Sequence, residues 1–560
     1  MIMTKKNFFK KTVVSCAIAL MYATTAFADV EINETNFPDP YFRNWILIYY
    51  SGGDNILTDT EIASITSMDI SSRWISDLRG IEFFTALTKL DCSYNSLLSL
   101  DVSDLTNLQY LDCSFNSITS LNVSSLTNLQ HLNFRNNPLT SLDVSGLTNL
   151  QYLNYCNNHL ALLDISSLTN LQYLDCSNNS ITSLDVLSLT NLQYFACSAN
   201  SITSLDVSNL TNLKTLYCSN NPLTSLDVSG LKNLHYLNCG ATRLTSLDVS
   251  NLTNLDTLYC VSNPLTSLDA SSLKNLQYLN CNYSVLLKSL NVSGLTNLQS
   301  LNCHYNQLAS LDVSSLTNLT DMDCGSNQLT SLDVSNLVNL QLLSCDYNQL
   351  TSLDISGLTN LLYLDCSINS LASLDVPSLV NLQTLYCNNN QLTSLDVSSL
   401  KNLTYLDCGS NQLTSLDVSD LRLNLALLSC DNQSPVLTLK GANNNYSTEI
   451  ALNNPNLALF ESGITYEGGK LISNSDQIET TDFEVDVKGA TDMWSRQFKM
   501  SGTITLKYIE TTNIPEVKSK TRQAVGYYSI LGQRLPKEPV SGTFIILYDN
   551  GEAEKMIKKQ

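Results

Sequence analysis

The chain has 560 residues, only 14% of them charged, and a formal net charge of −21 at pH 7. So acidic a protein repels nucleic acid and anionic membrane surfaces, which leaves basic partners or cations as its electrostatic match. Between Leu87 and Cys430 there is no Glu, and 25 Asp stand against nine Lys or Arg; a stretch without Glu and poor in Ala excludes long helices.

Residues 1–28 read as an export signal. Lys5, Lys6, Lys10 and Lys11 form a basic start, Thr12 to Ala23 an apolar run, and Ala26-Phe27-Ala28 a small-residue cleavage site. Val13-Val14-Ser15-Cys16 offers a rival lipoprotein reading, but it leaves too few apolar residues between Lys11 and the cysteine for a signal core. Export through this signal implies a secreted protein, or one held at the outer cell surface. No later apolar run reaches the ~20 residues of a membrane span.

Residues 29–64 are expected to form a helical cap. Phe37-Pro38-Asp39-Pro40 precedes Tyr41–Tyr50, a short helix starting after prolines, whose apolar residues would cover the open edge of whatever follows. Tyr50–Glu61 can be laid on a calcium-binding EF-hand loop. Tyr50 and Gly52 then fall where acidic ligands belong and Asn55 replaces the glycine, so no metal is expected there.

Residues 65–434 repeat. In the unit Leu108–Asn128, slots 1, 4, 11, 14 and 19 are aliphatic, slot 6 is mostly Cys, slot 9 Asn and slot 16 Val; further units start at Leu129, Leu150, Leu171, Leu192, Leu213, Leu234 and Leu255, every 21 residues. Single insertions lengthen the units at Leu276 and Leu403, and sixteen full units run from Leu87 to Asn424. A degenerate unit begins at Ile65, and Leu425–Gln433 closes the array. This is the leucine-rich-repeat pattern, and it resembles the short repeats of bacterial internalin-type surface proteins, including variants with cysteine in the strand. The resemblance implies a mostly β solenoid of α/β type: an arc whose stacked strands form one parallel, concave sheet, with slots 4 and 6 buried.

Three columns carry polar chemistry. Fifteen cysteines occupy slot 6, with Phe134 and Tyr155 in that slot in two units and Cys156 pushed one place outward. Neighbouring parallel strands hold Cβ atoms near ~4.8 Å, whereas a disulfide wants ~3.8 Å, so a buried, reduced ladder is expected, with Cys156 facing solvent and reacting first. Asn at slot 9, failing only at Thr242 and Ser284, and Asn at slot 21 are expected to satisfy backbone groups at the bends. Slot 15 is Asp in fourteen of sixteen units; Asn122 and Asn291 keep an acceptor there without charge, which favours hydrogen bonds to the following turn over calcium. No cofactor and no metal are expected.

The outward strand positions are the expected binding face. Tyr stands at slot 3 in Tyr110, Tyr152, Tyr173, Tyr194, Tyr236, Tyr278, Tyr363 and Tyr405, and moves to slot 5 in Tyr217, Tyr259 and Tyr386. Asp112, Asp175, Asp365 and Asp407 accompany it; the units that lack it show Asp321, Asp323 and Asp346 instead. A surface of Tyr, Asp, Asn and Ser suits recognition of a protein from the host or bacterial surface, and a glycan as the alternative. A structural reading, in which the tyrosines stack and stiffen the sheet, weighs equally. His131, His159, His235 and His304 occupy different units, and nothing in their spacing supports catalysis. A monomer that is not an enzyme is expected.

Residues 435–510 show strand-like alternation broken by turns, expected as a small β-sandwich, and 511–524 read as a linker. The tail, 525–560, carries Tyr528-Ser-Ile-Leu-Gly-Gln-Arg534, an aromatic-aliphatic strand after Gly542 and a closing basic strand. It resembles the C-terminal sorting domain of type IX secretion cargo in Bacteroidetes, which implies an address rather than a binding site.

Overall fold

The computed structural model describes residues 29–418 and, beyond them, residue 421 and the segments 427–430, 438–440, 464–467, 470–473, 480–486, 499–505, 524–529, 534–535, 542–548 and 553–558. The export signal and, except for Ala524, the linker expected from sequence lie outside the described residues, as does the packing of any sandwich over 435–510. The chain divides into two compact units, 1–350 and 351–560.

The first unit opens on helix α1 (Pro40–Tyr49), where Asp39 accepts hydrogen bonds from the N–H groups of Tyr41 and Phe42, both at 2.9 Å, and Pro40 supplies a preset φ. The other Asp39 oxygen accepts from Ser76 N–H (2.8 Å) and Oγ (2.9 Å), so one buried carboxylate both starts the helix and fastens it to the first coil. Phe42, Trp45 and Ile46 face inward while Ile48 and Tyr49 stay exposed, so only half of the helix covers the edge. Gly80, at φ +102°, lets Phe37 in: a Cβ there would run into the Phe37 ring. The EF-hand-like stretch is used for caps, since Glu61 Oε2 accepts from Thr58 N–H (2.8 Å) in a capping box that starts α2 (Asp59–Ser64).

From Ser67–Asp69 onward each coil contributes a three-residue strand, and consecutive strands pair in parallel, in register, through Leu342–Ser344. The middle residue of each strand and the next but one point inward, as with Leu111 and Cys113, both fully buried. Every coil therefore buries its apolar slots against the coils above and below. The return path is a chain of tight turns, with Leu126 N–H bonded to Val123 O (3.0 Å) and Leu129 N–H to Leu126 O (2.9 Å), in place of the helix that many solenoids carry there. The bend after each strand takes a left-handed residue, from Tyr94 (φ 53°) and Asn136 (φ 53°) to Tyr347 (φ 48°).

The slot-9 amides hold that bend. Asn137 Nδ2 donates to the carbonyls of Phe134 (3.0 Å) and of Cys113 in the previous coil (3.1 Å), while Oδ1 accepts from Ile118 N–H (2.9 Å). The slot-21 amides likewise bridge coils, as Asn128 Nδ2 does to Thr106 O (3.1 Å). Where the insertion after Leu276 breaks the spacing, Ser284 Oγ and Asn306 Oδ1 are buried without partners. All sixteen cysteines from Cys92 to Cys430 are free thiols, and all but Cys156 are buried.

The second unit continues the pattern by itself: Tyr363–Asp365, Thr384–Tyr386, Tyr405–Asp407 and Leu427–Ser429 pair in parallel, and Thr438–Lys440 pairs in parallel with Ser415–Asp417. Two antiparallel pairs follow, Ile464–Glu467 with Lys470–Ser473 and Thr480–Asp486 with Lys499–Thr505. The tail forms a four-stranded antiparallel sheet in the order Arg534–Leu535, Ala524–Ser529, Gly542–Tyr548, Ala553–Lys558.

Candidate functional site

In-register parallel pairing brings the slot-3 side chains of successive coils to one strand spacing, ~4.8 Å, close to the separation at which flat rings stack. Tyr110, His131, Tyr152, Tyr173 and Tyr194 form one continuous stack, with centroids 4.2, 4.0, 4.2 and 4.3 Å apart and interplanar angles of 4–11°. Where the ring moves to slot 5 the contact goes diagonal: Tyr194–Tyr217 at 5.7 Å, Tyr217–Tyr236 at 4.7 Å and Tyr236–Tyr259 at 5.7 Å, tilted by 37–46°. Eight rings thus make one row across eight coils, and Lys89 Nζ lies over its first ring at 4.8 Å. Among the expected residues of this unit, Tyr278 stands outside the row, exposed, its hydroxyl donating to Gln299 Oε1 at 3.3 Å. In the second unit Tyr363 and Tyr386 meet edge to face at 5.9 Å, and Tyr405 sits in register beside Thr384.

From Tyr110 to Tyr194 the ring faces are spent on neighbouring rings, and edges and hydroxyls look outward. Burial first, then the nearby Asp112 and Asp175, push the phenols of Tyr110 and Tyr194 up to about 12. Tyr173 and Tyr236 are raised too, by burial and then by adjoining tyrosines. These hydroxyls stay protonated and available as donors at any physiological pH.

The aspartates are less free than the sequence reading assumed. Asp112 Oδ1 accepts from Ser114 N–H (2.9 Å) and Oγ (2.6 Å), Asp175 from Ser177 N–H (3.0 Å), Asp365 from Ser367 N–H (3.0 Å) and Asp407 from Gly409 N–H (3.0 Å). One oxygen of each is committed to an Asx turn closing its own strand. Asp323 does the same with Gly325 N–H (3.1 Å), while Asp321 is exposed and accepts from Thr320 Oγ1 (2.6 Å). Cys156 also differs from expectation: it points outward but is half-buried, and burial, then Asp175, raises its thiol to about 11.

His131 was missed as a site residue. It is the ring that closes the gap between Tyr110 and Tyr152, and burial lowers its pKa to about 4, against the pull of Asp112 and with a smaller push from Lys89. The outer slot-15 column adds a second acid-sensitive set. Asp101, for example, accepts from Ser103 Oγ (2.7 Å) and N–H (3.0 Å), and Asn122 makes the same pair of bonds to Ser124. Those bonds hold Asp101, Asp143, Asp164, Asp206, Asp227, Asp248, Asp269, Asp312, Asp333 and Asp396 below the ordinary 3.8.

A two-step acid response follows. Unfolded His131 takes its proton near 6.5 and folded His131 only at about 4, so stability falls as pH drops through that window. The lowered aspartates stabilise the fold above 3.8, and that contribution is lost as pH falls further; Asp91, Asp175 and Asp346, raised by burial, oppose this but are fewer. The melting temperature by circular dichroism should decline from pH 6.5 to 4 and go on declining below. His131→Tyr, which keeps the stack, should flatten the first decline; a first decline unchanged in that variant would refute the assignment.

A family model described as leucine-rich repeats (two copies) matches residues 106–147, 148–188, 169–211, 211–252 and 380–422. A solved functional domain of internalin J from Listeria monocytogenes, described as including a cysteine ladder, is 30% identical; the match covers 86% of this chain and 98% of that one, with a TM-score of 0.54. A leucine-rich-repeat protein of Leptospira interrogans is 31% identical over 63% of this chain and 92% of its own, with a TM-score of 0.51. The curated internalin J of Listeria monocytogenes serotype 4b is 40% identical over 71 residues, which are 12% of this chain and 8% of the relative.

Proposed function

The chain belongs to the internalin-like leucine-rich-repeat family, and from that premise we propose that it is a secreted or surface-displayed, adhesin-like protein that binds a protein partner through the ring row and its flanking aspartates. The observation that carries this reading is the stack itself. Eight rings locked against one another form a rigid strip of aromatic edges and hydroxyls, which loses little conformational entropy on binding. A sugar packs its C–H groups on a free ring face, and from Tyr110 to Tyr194 the faces lie against neighbouring rings, so a protein partner fits that stretch better than a glycan. An acidic chain of net charge −21 favours a partner with a basic surface and fast, salt-sensitive association.

Export and display rest on the basic and apolar start of the sequence and on the tail, whose four antiparallel strands we read as a type IX sorting address. A chain truncated after residue 524 should then remain inside the outer membrane, and normal display of the truncated chain would rule that address out.

The binding role is tested by capturing partners from host-cell and bacterial-envelope extracts in parallel with a glycan array. Tyr173→Ala, Tyr194→Ala and Tyr217→Ala combined should weaken the captured interaction by 100-fold or more, about 3 kcal/mol or above for a hot-spot cluster, while the far-ultraviolet spectrum holds. Unchanged affinity would eliminate this face, and binding confined to the glycan array would replace the protein reading with the glycan one.

A further inference from the structure

Beyond the ring row, three adjoining coils present a different set of side chains on the same face. His304 follows strand Ser300–Asn302, Asp323 ends strand Asp321–Asp323, and Asp346 follows strand Leu342–Ser344. Each offers one donor atom, and the three donor atoms lie within 4.8 Å of one another. His304 Nδ1 stands 3.3 Å from Asp323 Oδ1. That is long for a charge-assisted hydrogen bond, ~2.7–2.9 Å. It matches the ligand-to-ligand edge, about 3.3 Å, of a tetrahedron with the ~2.0–2.1 Å bonds that zinc makes to imidazole nitrogen and carboxylate oxygen.

A second observation is independent of the donor set. Asp346 and His304 hold the same register position two coils apart, and the coil between them carries Gly325 there. A Cβ on Gly325 would run into Asp346 Oδ1 and come within 2.9 Å of His304 Nδ1. The missing side chain is what lets the carboxylate and the imidazole converge over that coil. Both carboxylates are further oriented: Ser344 Oγ donates to Asp346 Oδ1 (2.7 Å), and Asn302 Nδ2 to Asp323 Oδ2 (3.4 Å). Tyr283 meets the imidazole edge to face at 5.9 Å.

We propose that His304, Asp323 and Asp346 bind one divalent transition-metal ion, zinc being the best match, with a fourth position open to water or to a ligand atom from outside. Imidazole suits zinc and its neighbours in the transition series, whereas calcium and magnesium prefer all-oxygen sites. The site is separate from the ring row, and its test does not depend on any partner. Titration calorimetry of zinc chloride into the reduced full chain should give one ion per chain. His304→Gln and the near-isosteric Asp346→Asn should each weaken it by tenfold or more with the metal-free spectrum unchanged. Cobalt loaded into the unsubstituted protein should show visible bands of nitrogen and oxygen ligation without a thiolate charge-transfer band. Absence of saturable zinc binding, binding retained in both variants, or a thiolate band (which would move the metal to the cysteines) would overturn the proposal.

Discussion

A thiol reagent added to the folded protein is expected to modify Cys156 alone, and slowly, whereas denaturation should release all sixteen thiols from Cys92 to Cys430. In the ladder burial is the main force: it raises Cys218 and Cys303 well above the ordinary 9.0, and adjoining cysteines raise them further, because one thiolate would sit at coil spacing from the next. A group that holds its proton this firmly is neither a nucleophile nor a ready metal ligand. Oxidation is blocked by geometry, since neighbouring Cβ atoms at the ~4.8 Å strand spacing would have to close by about 1 Å to reach disulfide distance, against the backbone pairing that fixes them. Cys156 escapes the interior but not the chemistry: at about 11, its thiolate fraction at pH 8 is on the order of one in a thousand. Mass spectrometry after alkylation in native buffer and in guanidinium reads the difference. Eight disulfides, or rapid labelling of several sites in native buffer, would contradict the ladder.

Asn221→Ala should lower the unfolding free energy by ~3 kcal/mol, since each buried polar group left unpaired costs about 1–3 kcal/mol. Asn221 is 3% exposed; its Oδ1 accepts from Ile202 N–H (3.0 Å), and Nδ2 donates to the carbonyls of Cys218 (3.1 Å), Cys197 (2.9 Å) and Ser219 (3.3 Å). The Cys197 carbonyl keeps a second donor, Asn200 Nδ2 at 3.1 Å, but Ile202 N–H and the Cys218 carbonyl lose this partner. The next coil cannot replace it, because Thr242 stands in the column there and gives its hydroxyl to Cys239 O (3.1 Å) and to Asn263 Oδ1. That same coil shows that a smaller donor still serves the carbonyl of its own strand, so Asn221→Thr should lose less than the alanine variant. Urea unfolding followed by circular dichroism measures both; a loss under about 0.5 kcal/mol for the alanine variant would mean that water takes over the column.

Legibility in the sequence followed the period. A unit that recurs at 21 residues fixes which side chains share a column, so the buried leucines, the cysteine ladder and both amide columns are legible in the sequence alone. The cap was legible from Asp39-Pro40, though its second bond, to Ser76, joins residues 37 positions apart and leaves no local mark. His131 lay in the tyrosine column and was readable there, but a histidine is habitually weighed as a catalyst before it is weighed as a ring. The Ser two places after Asp112 was an available sign that this aspartate closes a turn. The meeting of His304, Asp323 and Asp346 was not legible, because it joins different columns across three coils and depends on a side chain that Gly325 lacks. After residue 434 no period ties one segment to the next, and strand pairs such as Thr480–Asp486 with Lys499–Thr505 come from the structure alone.

The reach of the contacts within the repeats has a genetic consequence. The amides and strand bonds traced through Asn137 and Asn221 extend to the adjoining coils and no further. Recombination between near-identical units can therefore delete or duplicate a whole coil while every surviving bond finds an equivalent mate. What such an event changes is the span of the ring row, so lineages of this gene can lengthen or shorten their contact strip without having to relearn how to fold.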